Sequence, residues 1–181
     1  MKIVLTGNNG FLGWHTRVLA HSLGKETEAI SLGDKFDSSD AVAALERAEV
    51  LVHIAGVNRG DDDAVRSGNV RFAEQLAGTL DAANSKPATV VYANSIQSGN
   101  GTAYGSGKEA AGELLRAAAE RAGARFVDVK LPNLFGEHGA PFYNSVVATF
   151  CSLYVQKEQL LVILHLKRLP VCRQTAESGN N

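Results

Sequence analysis

The stretch Ile3-Val4-Leu5-Thr6-Gly7-Asn8-Asn9-Gly10-Phe11-Leu12-Gly13 decides the fold. Its three apolar residues read as a buried strand. Glycines at i, i+3 and i+6 follow at once, and residues 11–23 carry a helical pattern that ends at Gly24, a C-cap. A strand that turns on glycine straight into a helix is the opening unit of a parallel α/β sheet.

Outward from that unit the alternation continues. Residues 28–32, 50–54, 89–92 and 126–129 read as further strands. Residues 41–48 suit a short helix with Asp40 as N-cap. Residues 64–84 suit a long one, with Val65, Phe72, Leu76 and Leu80 near one face. Residues 104–121 form an alanine-rich helix closed by Gly123, and residues 144–156 are helical in pattern. Strands alternating with helices imply a doubly wound parallel sheet with helices on both faces. Such sheets bind ligands at the carboxyl ends of their strands. Gly7, Ala55, Gly56, Ser95 and Asn133 all follow expected strands, so they converge on one edge.

The 181 residues suit one domain with a real core. Apolar residues are 45% and charged residues 20%, an ordinary soluble composition. A net charge of −1, with Lys and Arg dispersed, gives no reason to expect nucleic acid or an anionic membrane as partner. The N-terminus lacks the apolar run of a signal peptide, and Leu160-Leu161-Val162-Ile163-Leu164 is far short of the roughly 20 residues that span a bilayer. Cys151 and Cys172 lack CxxC spacing and read as reduced thiols, so a cytoplasmic protein is expected. The five histidines lack metal-ligand spacing, and Asp61-Asp62-Asp63 reads as a solvated loop; no metal is expected. His53, inside a strand, reads as packed or hydrogen-bonded rather than catalytic. The chain is thus divided into residues 1–158, a nucleotide-binding domain, and an atypical tail, 159–181, leucine-heavy and then polar.

The glycines have a chemical reading. Gly7 permits the tight turn, Gly10 lets the backbone approach a pyrophosphate, and Gly13 lets helix and strand pack closely. The helix N-terminus then offers free N–H groups to phosphates. The spacing is GxxGxxG rather than GxGxxG, and its strand–turn–helix context points to dinucleotide binding. After the second strand, Asp34 would accept from a ribose 2′-hydroxyl and favour NAD, whereas Lys35 would pair with a 2′-phosphate and favour NADP. A solvated turn is the other reading of that pair.

Tyr104 and Lys108 are four apart and share a helix face. A phenol with its ordinary pKa near ~10 is a poor acid–base group at neutral pH, and a neighbouring ammonium would lower it. Ser95, at the end of the fourth strand, would hydrogen-bond a reacting oxygen. The ordered set of glycine turn, Ser95, Tyr104 and Lys108 points to hydride transfer at a hydroxyl or ketone.

At these residues the chain resembles the extended short-chain dehydrogenase/reductases, the NAD-dependent epimerase/dehydratase group acting on nucleotide sugars. The marks are Thr6 to Gly13, Val52-His53-Ile54-Ala55-Gly56, Asn69-Val70, Ser95, Tyr104 and Lys108. Within the group it is similar to the reductase domain of bifunctional capsular-polysaccharide enzymes. The strings that carry this are His53 to Arg59, Asn94 to Gln97, Pro132 to Gly136 and Tyr143 to Cys151. The resemblance implies a Rossmann-type fold and NADP or NAD as cofactor. Its implied reaction is reduction of a 4-keto nucleotide sugar with Tyr104 as general acid, or 4-epimerisation with retained NAD. Lys108 would tune Tyr104 and hold the nicotinamide ribose, and Ser95 would orient the carbonyl. Gly7, Gly10, Phe11, Leu12 and Gly13 would wrap the pyrophosphate, with Ala55 and Gly56 beside the cofactor. Asn133 and Asn144 would face the nucleotide sugar. Relatives carry an arginine before the Pro-Asn string, where this chain has Lys130. Family members often form homodimers through the two long helices. They also continue into a substrate lobe that is largely missing here, so a dinucleotide-binding fragment without turnover is the further alternative.

Overall fold

The computed structural model describes residues 1–143 and 145–155. Five strands form one sheet: β1 (Lys2–Thr6), β2 (Glu26–Ile30), β3 (Val50–His53), β4 (Thr89–Ser95) and β5 (Arg125–Leu131). All neighbours pair in parallel, in the order β2-β1-β3-β4-β5. The helices are α1 (Phe11–Ser22), α2 (Ser38–Glu46), α3 (Asp62–Ala82), α4 (Ala103–Arg121) and α5 (Val146–Val155).

The topology sets the layers. The chain steps outward from β1 to β2, then crosses back over β1 to β3 and continues to β4 and β5. Right-handed crossovers then put α1 on one face and α2, α3 and α4 on the other. The buried side chains agree. Val4, Leu51 and Val90, paired in register, pack with Leu45, Leu76, Leu80 and Leu115 of α2, α3 and α4 in one core. Leu5, one residue on from Val4 and so on the opposite face, is buried outside that core, as is Ala20 of α1. The order of strands reverses between β1 and β3, which places a ligand crevice outside their carboxyl ends.

Local chemistry accounts for the element ends. Gly24, with φ +64°, sits beyond α1 as the sequence predicts. The cap of α2 differs from expectation. Asp37 is its N-cap, accepting from the Asp40 N–H at 3.0 Å, and Asp40 lies inside the first turn. Both acids suit a helix N-terminus, and only the earlier one has the extended backbone a cap requires. The acidic run is likewise not a loop. Asp61 caps α3 through the Ala64 N–H at 2.7 Å, and Asp62 and Asp63 occupy the first turn, where the helix dipole favours negative charge. β4 and β5 each run further than their apolar cores predict, because Ala93, Asn94 and Ser95 pair with Val129, Lys130 and Leu131.

The chain divides into two compact units, Met1–Gly139 and Ala140 onward. In the second unit, α5 is apolar, and the Phe142 N–H donates to Thr149 Oγ1 at 2.8 Å. The expected boundary at residue 158 lies outside the described residues, as do Asn144 and Cys172. Among the described residues no helix is long and apolar enough to cross a membrane. No cluster of His, Cys, Asp or Glu among them is able to hold a metal.

Candidate active site

β1 leads directly into the glycine turn. Gly7 has φ +70°, and a Cβ there would lie 2.6 Å from the Ala55 N of the loop after β3. A Cβ on Gly13 would lie 2.0 Å from the Gly7 carbonyl oxygen. Those two glycines are therefore required by close packing of the turn upon itself and upon β3. Gly10 differs. It is the N-cap of α1 and caps with no side chain, and a Cβ there would meet only the Gly7 oxygen, at 3.4 Å. The space above Gly10 is open, and the first-turn N–H groups of Phe11, Leu12 and Gly13 lack intrahelical acceptors. A pyrophosphate fits such a place.

Thr6 ties this turn to β3. Its Oγ1 accepts from the N–H groups of Ile54 and Ala55, at 3.1 and 3.2 Å. Its one hydroxyl hydrogen is thus left for His53 Nδ1, 2.7 Å away. His53 is therefore the neutral tautomer with its proton on Nε2. Burial, helped by the Lys108 charge, pushes its pKa down to about 3. The structural reading of His53 holds. Asn69 of α3 fixes the next residues, accepting from the Val57 N–H at 3.3 Å and donating to the Val57 carbonyl at 2.7 Å.

The second half of the site is built on β4 and α4. Ser95 is the last residue of β4 and is buried. Its N–H donates to Asn94 Oδ1 at 2.8 Å, and its Oγ accepts from the Gln97 N–H at 3.1 Å. Thr102 caps α4, accepting from the Gly105 N–H at 3.0 Å. Gly105 lets the helix sit on the preceding turn, because a Cβ there would lie 2.3 Å from the Gln97 carbonyl oxygen. This seats Tyr104 beside the Ser95 side chain. Lys108, one turn on, is 3% exposed. Its Nζ donates to the Ala93 carbonyl at 2.8 Å and lies 4.2 Å from the centre of the Tyr92 ring. That ring stacks on His53, with centroids 5.4 Å apart.

The expected tuning of Tyr104 is not what the geometry gives. Burial raises the Tyr104 pKa, opposed by the Ser95 hydrogen bond, and the Lys108 ammonium is turned towards Ala93 and Tyr92 instead. Tyr104 is thus a protonated phenol at neutral pH. Lys108 is itself pushed down to about 8, chiefly by burial.

The structure therefore brings Gly7, Gly10, Gly13, Ala55, Gly56 and Ser95 to the carboxyl edge, with Tyr104 beside Ser95 there. Asn133 lies in the exposed loop after β5, at the same edge. Asp34 and Lys35 stand apart from each other. Asp34 pairs with Arg71 of α3 at 2.9 Å, whereas Lys35 lines an open polar cleft with Glu28, Asp37, Asp40 and Arg47. Gln75 fixes that turn by bonding both backbone groups of Gly33. Sequence reasoning assigned no roles to Thr6, Asn69, Asn94 and Asp128. Thr6, Asn69 and Asn94 stand in the motif strings without a role, and Asp128 shows only as a carboxylate set between Val127 and Val129 in an apolar strand.

Comparison with known proteins agrees with this architecture. The family model described as NAD dependent epimerase/dehydratase family matches residues 3–169. A UDP-2-acetamido-2,6-beta-L-arabino-hexul-4-ose reductase of Pseudomonas aeruginosa is 31% identical over 153 residues, which are 83% of this chain and 40% of that protein. The capsular polysaccharide assembling protein CapF of Staphylococcus aureus superposes with a TM-score of 0.72 at 30% identity, over 90% of this chain and 43% of that one. The UDP-glucose 4-epimerase of Thermotoga maritima, at 15% identity, shares the fold with a TM-score of 0.75 over 88% of this chain and 65% of its own. The chain thus spans about two fifths of the reductase and of the capsular protein. With a family match covering most of its length and the glycine turn, Ser95, Tyr104 and Lys108 all built on one parallel sheet, this chain belongs to the NAD dependent epimerase/dehydratase family.

Proposed function

We propose that this chain is the NAD(P)-dependent reductase part of an enzyme acting on a 4-keto sugar carried by UDP, a precursor of a capsule or cell-surface polysaccharide. The observation that carries the reading is the placing of Ser95, at the end of β4, and Tyr104, in the first turn of α4, on the sheet edge that also holds the open Gly10 turn. A nicotinamide dinucleotide bound along that edge supplies hydride to a carbonyl carbon. Gly7, Gly10, Phe11, Leu12 and Gly13 would hold its pyrophosphate, and Ala55 and Gly56 would flank it. Asp34 or Lys35 would meet the adenosine ribose.

The protein's own groups then manage the proton. Tyr104 donates its phenol hydrogen to the carbonyl oxygen. Ser95 Oγ already accepts from Gln97, so its hydrogen is free to point at that oxygen. Lys108, buried under the site with its Nζ on the Ala93 carbonyl, would reach the nicotinamide ribose by leaving that carbonyl. Asn133 and Asn144 would contact the nucleotide sugar. The reductase named among the relatives supports reduction as the direction.

The test is a fluorescence titration of the purified protein with NADPH and with NADH, followed by assay with a 4-keto UDP-sugar. Gly10→Val places a side chain in the open space above the turn and abolishes saturation. Tyr104→Phe retains binding and loses roughly 10²–10⁴-fold in turnover, the usual contribution of a positioned proton donor. Failure of both nucleotides to bind the wild-type protein overturns the proposal.

A further inference from the structure

Beneath the site, four side chains stand in register across four strands: Thr6, His53, Tyr92 and Asp128. The first three are mutually satisfied, through the Thr6–His53 hydrogen bond and the His53–Tyr92 stack, and the Tyr92 hydroxyl donates to the Lys108 carbonyl at 3.2 Å. Asp128, on β5, ends the row. Its Oδ2 accepts from Asn94 Nδ2 at 3.2 Å. Its Oδ1 is buried without a hydrogen-bond partner among the described residues. An apolar residue would serve packing better at a half-buried position between two valines, so a carboxylate there calls for a role.

We propose that Asp128 is a positioning residue of the active site: through Asn94 it fixes the Ser95 turn, and its negative charge keeps the buried Lys108 in the ammonium form. The hydrogen-bond route is continuous, from Asp128 Oδ2 to the Asn94 amide, and from Asn94 Oδ1 to the Ser95 N–H. The same Asn94 amide lies 3.4 Å from Ser98 Oγ, which spreads the anchor along the turn that seats Tyr104. α4 closes tightly over this network, since a Cβ on Gly112 would lie 3.4 Å from the Tyr92 ring and 3.6 Å from Asn94 Nδ2. Lys108 is on that helix face, one turn before Gly112. The titratable and charged groups around Asp128 are Tyr92 and, beyond it, His53 from the strands, with Lys108 and the exposed Arg116 from α4, the latter's guanidinium 4.9 Å from the centre of the Phe126 ring on the same strand face; Tyr104 lies beyond Tyr92, and Arg125 and Lys130 of its own strand are exposed. His53 is neutral and both tyrosines are protonated, so Asp128 is the charge that opposes the desolvation of Lys108. The inference rests on the reading of Ser95 and Lys108 as working groups.

Asp128→Asn separates the two effects. It retains an oxygen to accept from Asn94 and removes the charge. The measurement is the titration of the Lys108 side-chain nitrogen by NMR, assigned with Lys108→Met, in wild type and variant. Burial pushes Lys108 down to about 8, where the wild-type midpoint is expected. In Asp128→Asn it falls by about 1 pH unit, the loss expected on removing a nearby opposite charge. Identical midpoints overturn the proposal, including the case where the variant is merely less stable. If the variant does not fold, the wild-type Asp128 carboxyl carbon serves instead: it shifts through the Lys108 titration if the two groups are coupled, and an invariant signal there overturns the proposal. NADPH binding is followed alongside. A shifted Lys108 midpoint with no binding by either protein sinks the proposed function while the Asp128–Lys108 coupling stands.

Discussion

Two glycines with nearly the same backbone give a controlled measurement of how tightly the glycine turn is wedged into the sheet. Gly7 has φ +70° and Gly24 has φ +64°, so alanine at either position meets the same left-handed penalty of about 1 kcal/mol. Their surroundings differ. A Cβ on Gly24 has nothing within 4 Å, whereas one on Gly7 lies 2.6 Å from Ala55 N and 2.8 Å from Ala55 Cα. Carbon contacts are comfortable at about 3.5–4.0 Å, so the turn or the β3 loop must retreat by about 1 Å. Overpacking of that kind costs about 1–3 kcal/mol. Gly24→Ala is therefore expected to destabilise the protein by about 1 kcal/mol and Gly7→Ala by about 2–4. At roughly 2–4 °C per kcal/mol for a chain of this size, the melting temperature falls by about 2–4 °C in the first variant and about 5–15 °C in the second. Thermal unfolding followed by circular dichroism reads both. A dinucleotide titration adds a second signature. Gly24 lies at the far end of α1 and its substitution leaves affinity unchanged, whereas Gly7→Ala weakens it about tenfold or more. Equal melting temperatures for the two variants would refute the reasoning, because the only difference between them is the contact with β3.

Other outcomes follow from the buried polar groups. His53 has an ordinary pKa of 6.5 when unfolded and about 3 when folded, so below pH 6.5 the unfolded chain takes up a proton that the native one refuses. Native stability is therefore lost as pH falls from 6.5 towards 3, by about 2 kcal/mol at pH 5 from this group alone; urea unfolding at pH 7 and pH 5 shows it, and His53→Gln removes most of that difference. Thr6→Val keeps the shape of the side chain and strands the N–H groups of Ile54 and Ala55, lowering stability by about 2–4 kcal/mol in the same urea assay. Asn69→Leu leaves both backbone groups of Val57 unpaired and costs about 2–3 kcal/mol, with hydrogen exchange accelerated at residues 55–57. An unchanged exchange rate there would mean that Asn69 does not hold the loop.

The legible parts of this molecule are those whose signal is local in sequence. The strand, three glycines and helix from Ile3 onward occupy one short stretch, and the four-residue spacing of Tyr104 and Lys108 fixes a shared helix face whatever surrounds it. The interactions that hold the site together are not local. Thr6 meets His53 across 47 positions, and Asn94 meets Asp128 across 34. No periodicity encodes such pairs; they exist because strand order and register bring them side by side. The same cause explains the reading of Tyr104. Spacing put an ammonium next to a phenol, but burial and the Ala93 carbonyl, both supplied by the fold, turned Lys108 away and raised the phenol's pKa. Asp37 and Asp40 show the limit within a single helix end. Both are good caps by type, and backbone conformation alone selects Asp37.

The sheet assigns its rows to different tasks. Val4, Leu51, Val90 and Phe126 are paired across it and face the helical core; two residues further along the same face, the row becomes Thr6, His53, Tyr92 and Asp128. In-register parallel strands make such a change of character abrupt, because advancing every strand by two residues keeps the face and moves one step towards the carboxyl edge. Apolar burial holds the fold at the first row. The second has to remain buried to support the turn, the Ser95 end of β4 and the start of α4, yet it must also fix hydrogen-bond directions that apolar side chains cannot. A neutral histidine suits this task. By accepting from Thr6 it sets the hydroxyl's hydrogen, and the Thr6 oxygen is then free to accept from the loop after β3. A charge in that position would lie against Lys108 and raise the cost of burying it. Placing the row's one carboxylate at its far end, on β5, gives Lys108 a counter-charge without bringing a second cation into the layer.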